Sequence, residues 1–402
     1  MSEDTETVTV GAIYPLSGPV GETGQQIQKM LNYAVENIVN SQADLDPLIL
    51  AGGEGLPNLN NAKVEIKWAD HRGDPAQGRA EAERMIQQEN VDLLYGSYHS
   101  SVSKTVSATA ERYGVPHVTG ESSSPSLTER GLNWFWRTGP HDRIYTINMF
   151  DFMEDLNNEM GADISSVGII HEDTEFGATS KEVQMQLADE RGFEVAAGPI
   201  AYTAETVSSM TTQVQQLAQA DPDVLLPTSY QKDGIMLMDE MKSQGWHPKL
   251  VIAQDSGFIE PGFVSQTDLS NFLTSRSTYA DDMTEAVPEI GAYNNFVNDG
   301  VGFSFNGVYI RSWAGLLIAL KGVDAAGSTD PGAIQEGLNS LELPEIESGL
   351  PFGVKFDPET QQNARASGVI IQYHDETARL VWPLNLAAED ALTYPAPAWD
   401  ER

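Results

Sequence analysis

The residues with chemistry to offer crowd most tightly in Tyr98-His-Ser-Ser-Val-Ser, where His99 stands beside Ser100 and Ser101, with Ser103 two positions on. An apolar run over 91–95 has strand length, Gly96 ends it, and a helical pattern follows to Tyr113. A strand that passes through glycine into a serine-opened helix gathers hydroxyls and free backbone N–H groups at one point. The first turn of a helix also carries the positive end of the macrodipole, so an anion is favoured there. Ser100 and Ser101 are equally suited simply to cap the helix. On this stretch alone both readings stand.

Other constellations carry residue types used in catalysis. Ser100, His99 and Asp255 supply the residue types of a nucleophilic triad. The Gly-x-Ser-x-Gly elbow is missing, however, and a histidine adjacent to its serine in sequence is a poor start for a hydrogen-bonded relay. The seven histidines are dispersed without a His-Glu-x-x-His, and the absence of cysteine removes thiolate catalysis, disulfides and thiolate-held metals. The glycines between Gly18 and Gly24 are followed by Gln25-Gln26 instead of the Lys-Ser/Thr of a phosphate loop, and they do not make the Gly-x-Gly-x-x-Gly of a dinucleotide fold. His171-Glu172-Asp173 reads as a solvated strand end. No catalytic residue, metal or cofactor is expected.

The elements that must position these residues alternate. Strands are expected over 8–14, 63–68, 91–95 and 115–119, with helices between them. Ile27, Met30, Leu31, Ala34, Val35, Ile38 and Val39 mark one amphipathic face, and Asp74-Pro75 opens a second helix. The pattern begins again after a helix from about Asp142. Strands are expected over 166–171, 193–200, 223–226 and 250–253, with helices over 181–191, 207–220 and 235–244. Strand–helix alternation implies a parallel sheet with helices on both faces, and two such sets in tandem imply two lobes of one architecture. Helical runs over 308–321 and 333–341 are too few to make a third domain and should return to the first lobe. A hairpin over 368–382 should return to the second.

In open parallel sheets ligands collect beyond the C-terminal strand ends. The polar residues there are Ser17, Tyr98 to Ser101, Glu121 to Ser124, Glu172 to Phe176, Thr228 to Tyr230, and Asp255. Hydroxyls, aromatics and a few carboxylates make a recognition set rather than a reaction set.

The 402 residues carry 23 Lys+Arg against 59 Asp+Glu, a formal net charge of -36, and a hydrophobic content of 40% that supports sizeable cores. The acids are scattered through the chain, as on an acid-coated folded surface, and salt would screen their repulsion. A high-salt environment is the first explanation. Nucleic acid is excluded as a partner, since no basic face is available. No apolar segment approaches the ~20 residues of a membrane span. The polar, acidic start fits either a cytoplasmic protein or one whose leader has been removed.

Three ordered stretches resemble one known family: Ile13-Tyr-Pro-Leu-Ser-Gly-Pro, Gly96-Ser-Tyr-His-Ser-Ser, and Ser124-Pro-Ser-Leu-Thr-Glu-Arg-Gly-x-x-x-Phe-x-Arg-Thr. Together they look like the type I periplasmic binding proteins, in the branch of the leucine/isoleucine/valine-binding proteins of ABC importers. Glu172-Asp-Thr-Glu-Phe-Gly is similar to the Tyr/Phe-Gly segment of that branch. The resemblance implies an α/β fold of two doubly wound parallel-sheet lobes joined by three crossover strands, with ligand held between the lobes. The lobes are expected at 1–139 plus 279–354 and at 140–278 plus 355–402.

Carried over position by position, the resemblance gives Ser100 and Ser123 to the ligand carboxylate and the ammonium site. It gives the Glu121 carbonyl and the Asp255 carboxylate to the ammonium. Tyr230 matches a cleft aromatic, Tyr98 and His99 match pocket positions, and Phe176 stands where amino-acid binders usually have tyrosine. Ser101 and Ser122, at the same two strand ends, complete the expected ligand-binding set. Glu121 departs from the small residue usual there. Turned toward the ligand it would favour a cationic or multiply hydrogen-bonding molecule, and turned to solvent it would carry no specificity. The implied function is an extracytoplasmic solute-binding protein, at the periplasm or cell surface, that delivers an amino acid or analogue to an ABC transporter permease. It would meet the membrane only through an anchor or that permease. The alternative is a ligand-sensing receptor domain of the same fold that signals to a regulator or kinase.

Overall fold

The computed structural model describes residues 7–402. The acidic start behind the expectation about a leader lies outside them. The chain forms two compact units. One contains the described residues up to Pro140 with Thr284–Phe305 and Tyr309–Ser367; the other contains His141–Met283, Asn306–Val308 and Gly368–Arg402.

In the first unit the order is β1 (Thr7–Tyr14), α1 (Gly21–Ala34), β2 (Lys63–Asp70), α2 (Pro75–Gln87), β3 (Leu93–Gly96), α3 (Ser100–Tyr113), β4 (His117–Thr119) and β5 (Phe135–Arg137). All five strands are parallel, in the order β2-β1-β3-β4-β5. This is a doubly wound sheet whose strand order reverses between β1 and β3, the place where such sheets bind ligands. Ile13 and Leu94 pack with Met85, Val102 and Val106 under α2 and α3. On the other face Tyr95 donates its hydroxyl to the Ser312 carbonyl at 2.6 Å. The glycine-rich turn after β1 is a packing device. A Cβ at Gly24 would lie 1.9 Å from the Pro15 carbonyl oxygen, so only glycine lets the first turn of α1 approach the strand end. The expected continuation of α1 to Val39 is present as a looser turn, closed by Asn40 N–H to Val35 O at 2.8 Å.

The second unit repeats the plan with α4 (Asp142–Met160), β6 (Ser166–Glu172), α5 (Glu175–Arg191), β7 (Glu194–Tyr202), α6 (Thr211–Ala220), β8 (Val224–Thr228), α7 (Gln231–Gln244), β9 (Leu250–Ala253) and β10 (Thr274–Ser277). Its strands lie in the order β7-β6-β8-β9-β10, the same winding with its reversal between β6 and β8. Alternation along each strand feeds two cores. Val167, Ile169, Leu226 and Ile252 face Phe150, Met153 and Leu187 of α4 and α5, while Leu225 and Val251 face Val214, Leu217, Leu237 and Met238 of α6 and α7.

After β10 come the helices Pro288–Val301, Gly307–Ala326 and Pro331–Asn339. A short antiparallel pair follows, β11 (Glu342–Leu343) with β12 (Val354–Lys355), in the first unit. The closing hairpin, β13 (Val369–His374) and β14 (Thr377–Trp382), adds antiparallel to β10 in the second unit.

Several boundaries differ from the sequence reading for identifiable reasons. Residues 355–367 lie in the first unit, where Gln362 accepts from Arg137 Nε at 2.6 Å and Asn363 donates to the Thr138 carbonyl at 3.0 Å. Residues 279–283 lie in the second, where Asp281 and Asp282 receive the Ala378 and Leu380 N–H groups of β14 at 2.7 and 3.0 Å. The helix expected from Lys181 begins at Glu175, because a carboxylate described below caps its first turn. The helix expected from Val207 begins at Thr211; Val207 N–H instead closes a turn on the Thr203 carbonyl at 2.9 Å.

Candidate functional site

In the first unit the candidates occupy the turns after β3 and β4. The chain leaves Gly96 through Ser97, passes Tyr98 at a left-handed φ of 71°, and enters α3 from His99. His99 is the N-cap residue and its side chain caps nothing, so Ser100 and Ser101 are the first two helical residues rather than caps. By helix geometry their N–H groups have no intrahelical acceptor. Ser100 Oγ accepts from Ser124 N–H at 3.2 Å, which ties the two turns together and leaves the hydroxyl hydrogen without an acceptor among the described residues. Ser101 is half-buried on the same helical turn.

Two histidines grip the carbonyls of this turn. His71 Nδ1 accepts from Gly73 N–H at 3.0 Å, so Nε2 carries the hydrogen and donates to the Ser97 carbonyl at 2.9 Å. His117 Nε2 lies 2.8 Å from the Gly96 carbonyl. The His99 ring stands edge-on to His71, with centroids 5.4 Å apart, and near-perpendicular to Tyr98 at 5.2 Å. Burial pushes His71 and His117 down to about 4, and burial followed by the neighbouring His71 holds His99 well below its ordinary value.

The second turn, Glu121 to Ser124, is held from beneath by Arg137. This buried guanidinium donates to the Ser122 and Ser124 carbonyls at 3.1 and 2.6 Å and to Thr128 Oγ1 at 2.9 Å. Ser122 turns its hydroxyl into its own unit. Ser97 N–H meets Ser103 Oγ at 3.0 Å, Ser103 Oγ lies 2.6 Å from Ser122 Oγ, and Ser122 donates to the Tyr98 carbonyl at 3.1 Å. Ser123 is buried in the same turn. Glu121 is 5% exposed, which rules out the solvent-facing reading. Its carboxylate accepts from the Tyr14 hydroxyl at 2.7 Å and from Thr119 Oγ1 at 3.3 Å. Burial, then the Glu121 charge, drives the Tyr14 phenol well above its usual value, so it stays a donor.

In the second unit Glu172 is fully buried and His171 is buried beside it, which corrects the reading of 171–173 as a solvated strand end for those two residues; Asp173 is exposed. Glu172 accepts from Thr174 N–H at 2.6 Å, Thr174 Oγ1 at 2.9 Å and Gly177 N–H at 2.5 Å, capping α5 from the end of β6. Burial outweighs these donors and raises its pKa to about 7. A Cβ at Gly177 would lie 2.0 Å from the Glu172 carbonyl oxygen, so this position must be glycine. The close approach seats Phe176, which is buried and packs on Tyr230 with centroids 5.6 Å apart. Tyr230 opens α7, and its N–H is received by Asp233 at 3.2 Å. Asp233 also accepts from the buried Tyr202 hydroxyl, and burial raises its pKa to about 6.

Asp255 follows β9 at a φ of 37° and is buried. It accepts from Ser256 N–H at 2.5 Å, and its Oδ1 lies 3.5 Å from Arg276 Nη2. That nitrogen also donates to Asp142 at 2.9 Å, and the guanidinium lies 3.8 Å over the Tyr145 ring. Two carboxylates and one guanidinium give this buried trio a formal charge of -1. Sequence reasoning missed Arg276, Asp142, Tyr14 and His71. Tyr14 and Arg137 did stand inside the quoted motifs, but nothing in their spacing assigned them a role.

Among the described residues no group of three His, Asp or Glu is placed to hold a metal ion, and no helix is long and apolar enough to cross a membrane. Of the three residue types of a nucleophilic triad, His99 and Ser100 lie on one turn of the first unit, and Asp255 is paired with Arg276 in the second.

A family model for periplasmic binding proteins matches residues 7–374. The chain belongs to the type I periplasmic binding proteins. Within that family it resembles the Leu/Ile/Val-binding-protein-like branch. It is similar to the Leu/Ile/Val-binding protein homolog 7 of Brucella abortus, 23% identical over 94% of this chain and 91% of the relative. Its fold matches a leucine-binding protein of Thermotoga maritima, with a TM-score of 0.78 and 17% identity over 94% of this chain and all of the other. It also matches a solute-binding protein of an ABC transporter from Rhodopseudomonas palustris, solved with 3,4-dihydroxybenzoic acid. There the TM-score is 0.76, with 16% identity over 97% and 99% of the two chains. The doubly wound, two-lobed α/β architecture of this family is the one described above. Its members are binding proteins, and the family places them outside the cytoplasm.

Proposed function

We propose that this periplasmic binding protein captures an amino acid or a closely related zwitterion for the permease of an ABC importer. The observation that supports this reading most is a division of charge preference between the two units. At the β1–β3 reversal, the first turn of α3 offers N–H groups, the Ser100 hydroxyl and a positive helix end, which suit a carboxylate. In the second unit the trio of Asp142, Arg276 and Asp255 carries one negative charge in a buried setting, which suits an ammonium. In this reading both units close on one ligand. Ser100, Ser101 and Ser123 hold its carboxylate, Asp255 and the Glu121 carbonyl hold its ammonium, and Tyr98, His99, Phe176 and Tyr230 surround its side chain. Ser122 serves by fixing the Tyr98 carbonyl.

The relative solved with 3,4-dihydroxybenzoic acid makes aromatic acids the natural competing ligands. Such a ligand brings no cation for Asp255, so a zwitterion is preferred here. The acid-rich composition adds a salt-rich surrounding to the same reading.

A thermal-shift screen over amino acids, their amides, polyamines and aromatic acids tests the function. A ligand at 100 times its dissociation constant adds about 2.7 kcal/mol to stability. Stabilisation by an amino acid and not by aromatic acids is expected. Stabilisation by aromatic acids alone would overturn the ligand class.

A further inference from the structure

Three buried histidines surround the turn that carries Ser100 and Ser101, and each is built to be neutral. His71 bridges Gly73 N–H and the Ser97 carbonyl, donating from Nε2 and accepting at Nδ1. A proton added at Nδ1 would set two donors against each other and break the first bond. His117 holds the Gly96 carbonyl through Nε2, and its buried Nδ1 has no partner among the described residues. A proton there would bury an N–H cation with nothing to accept it. The His99 ring, edge-on to His71, would bring a second positive charge against the first.

We propose that His71, His99 and His117 form an acid-released latch on the turn after β3, holding Ser100 and Ser101 ready for ligand at neutral pH and letting the ligand go in acid. The release of ligand rests on the placement of ligand proposed above; the latch itself does not.

The groups facing these rings decide the direction. His71 faces Asp70 and Asp74 from its own segment and His99 from the turn, and burial outweighs both carboxylates. His117 faces Arg130, which adds to the penalty of protonation, and the Phe135 ring of β5 at 5.1 Å. His99 faces Tyr98 and His71. The bonds at stake are specific: protonation breaks the bond from Gly73 N–H to His71, and a ring that leaves its buried site for water as a cation takes its hold on the Ser97 or Gly96 carbonyl with it, so the two N–H groups at the start of α3 lose their fixed aim. A histidine at about 4 in the closed turn and at its ordinary 6.5 in an open one makes opening roughly 20-fold more favourable at pH 5 than at pH 7.

The test compares the wild-type protein with His71→Gln, His117→Gln and the double variant. A glutamine amide can donate to the same carbonyls and does not titrate. Hydrogen exchange is followed by mass spectrometry at pH 7 and pH 5, corrected for the intrinsic pH dependence of exchange. In wild type, protection over 97–103 should fall at least tenfold at pH 5, while β6 and β8 keep theirs. In the double variant, which keeps only His99 of the three, the fall should shrink at least fivefold relative to wild type. Equal wild-type protection at both pH values, or an undiminished fall in the glutamine variants, would overturn the latch. In parallel, the dissociation constant of an amino acid that binds at pH 7 should weaken at least tenfold at pH 5 in wild type and by a several-fold smaller factor in the double variant. An unchanged wild-type constant would overturn acid release. If no amino acid or analogue binds at pH 7, the functional reading fails instead, and the exchange measurement still decides the latch.

Discussion

Arg276 Nη2 lies 3.5 Å from Asp255 Oδ1 and at the same time donates to Asp142 at 2.9 Å. One guanidinium therefore serves two buried carboxylates, so removing an acid and removing the base leave different charges behind. Asp255→Asn leaves a one-to-one pair of Asp142 and Arg276 and should cost less than about 1 kcal/mol of stability, because the charges left behind still balance. Arg276→Met leaves two buried carboxylates together and should cost about 3–5 kcal/mol. Urea unfolding midpoints of the two variants give the comparison. Equal losses would mean that the trio does not act as a unit.

Gly177→Ala separates two opposed effects. In an open helix the change gains roughly 1 kcal/mol from helix propensity. Here the new Cβ would lie 2.0 Å from the Glu172 carbonyl oxygen, so a net loss of about 2 kcal/mol or more is expected, with displacement of Phe176 from Tyr230. Thermal unfolding gives the sign. A more stable Gly177→Ala would show that the approach of β6 and α5 is looser than described.

The architecture was legible wherever a strand was apolar and a helix one-sided. The run from Val167 to Ile170 and the face of Met210, Val214 and Leu217 announced themselves by period alone. Four strands did not, two of them the two-residue pair β11 and β12. β5 is three residues long, and β10 reads Thr-Ser-Arg-Ser with every residue buried. Hydroxyls and a paired guanidinium take the place of the apolar alternation by which strands are recognised, so Arg276 was lost along with its strand. The same limit applied to Glu121 and Glu172. Acidic residues at strand ends look solvated in a sequence, and only the fold brings Tyr14 or the first turn of α5 to them.

Stability on the acid side should follow the buried histidines. His71 and His117 titrate at about 4 when folded, below their ordinary 6.5. The unfolded chain therefore binds more protons, and the stabilisation present above pH 6.5 is lost as pH falls toward 4. Each contributes about 3 kcal/mol to that loss. Denaturation midpoints between pH 7 and 4 should fall less steeply in the His71→Gln/His117→Gln variant than in wild type. Identical slopes would place the acid sensitivity elsewhere.

A chain with 59 acids against 23 bases should gain stability from salt, because screening relieves repulsion between like charges. Unfolding midpoints are expected to rise through the molar range of KCl and to rise less in a neutral solute of equal osmolarity. A midpoint that is flat or falls with KCl would remove the salt-rich surrounding from the account.

The zwitterion reading is tested most directly by titrating wild type and Asp255→Asn with an amino acid that binds, its deaminated acid and its amide. Hydrogen bonds to charged groups contribute ~1.5–3 kcal/mol, so Asp255→Asn should weaken the amino acid and the amide roughly 10- to 100-fold. The deaminated acid should already bind weakly to wild type, and Asp255→Asn should change it little. If Asp255→Asn weakens the deaminated acid as much as its parent, Asp255 does not meet an ammonium and the ligand belongs to another chemical class.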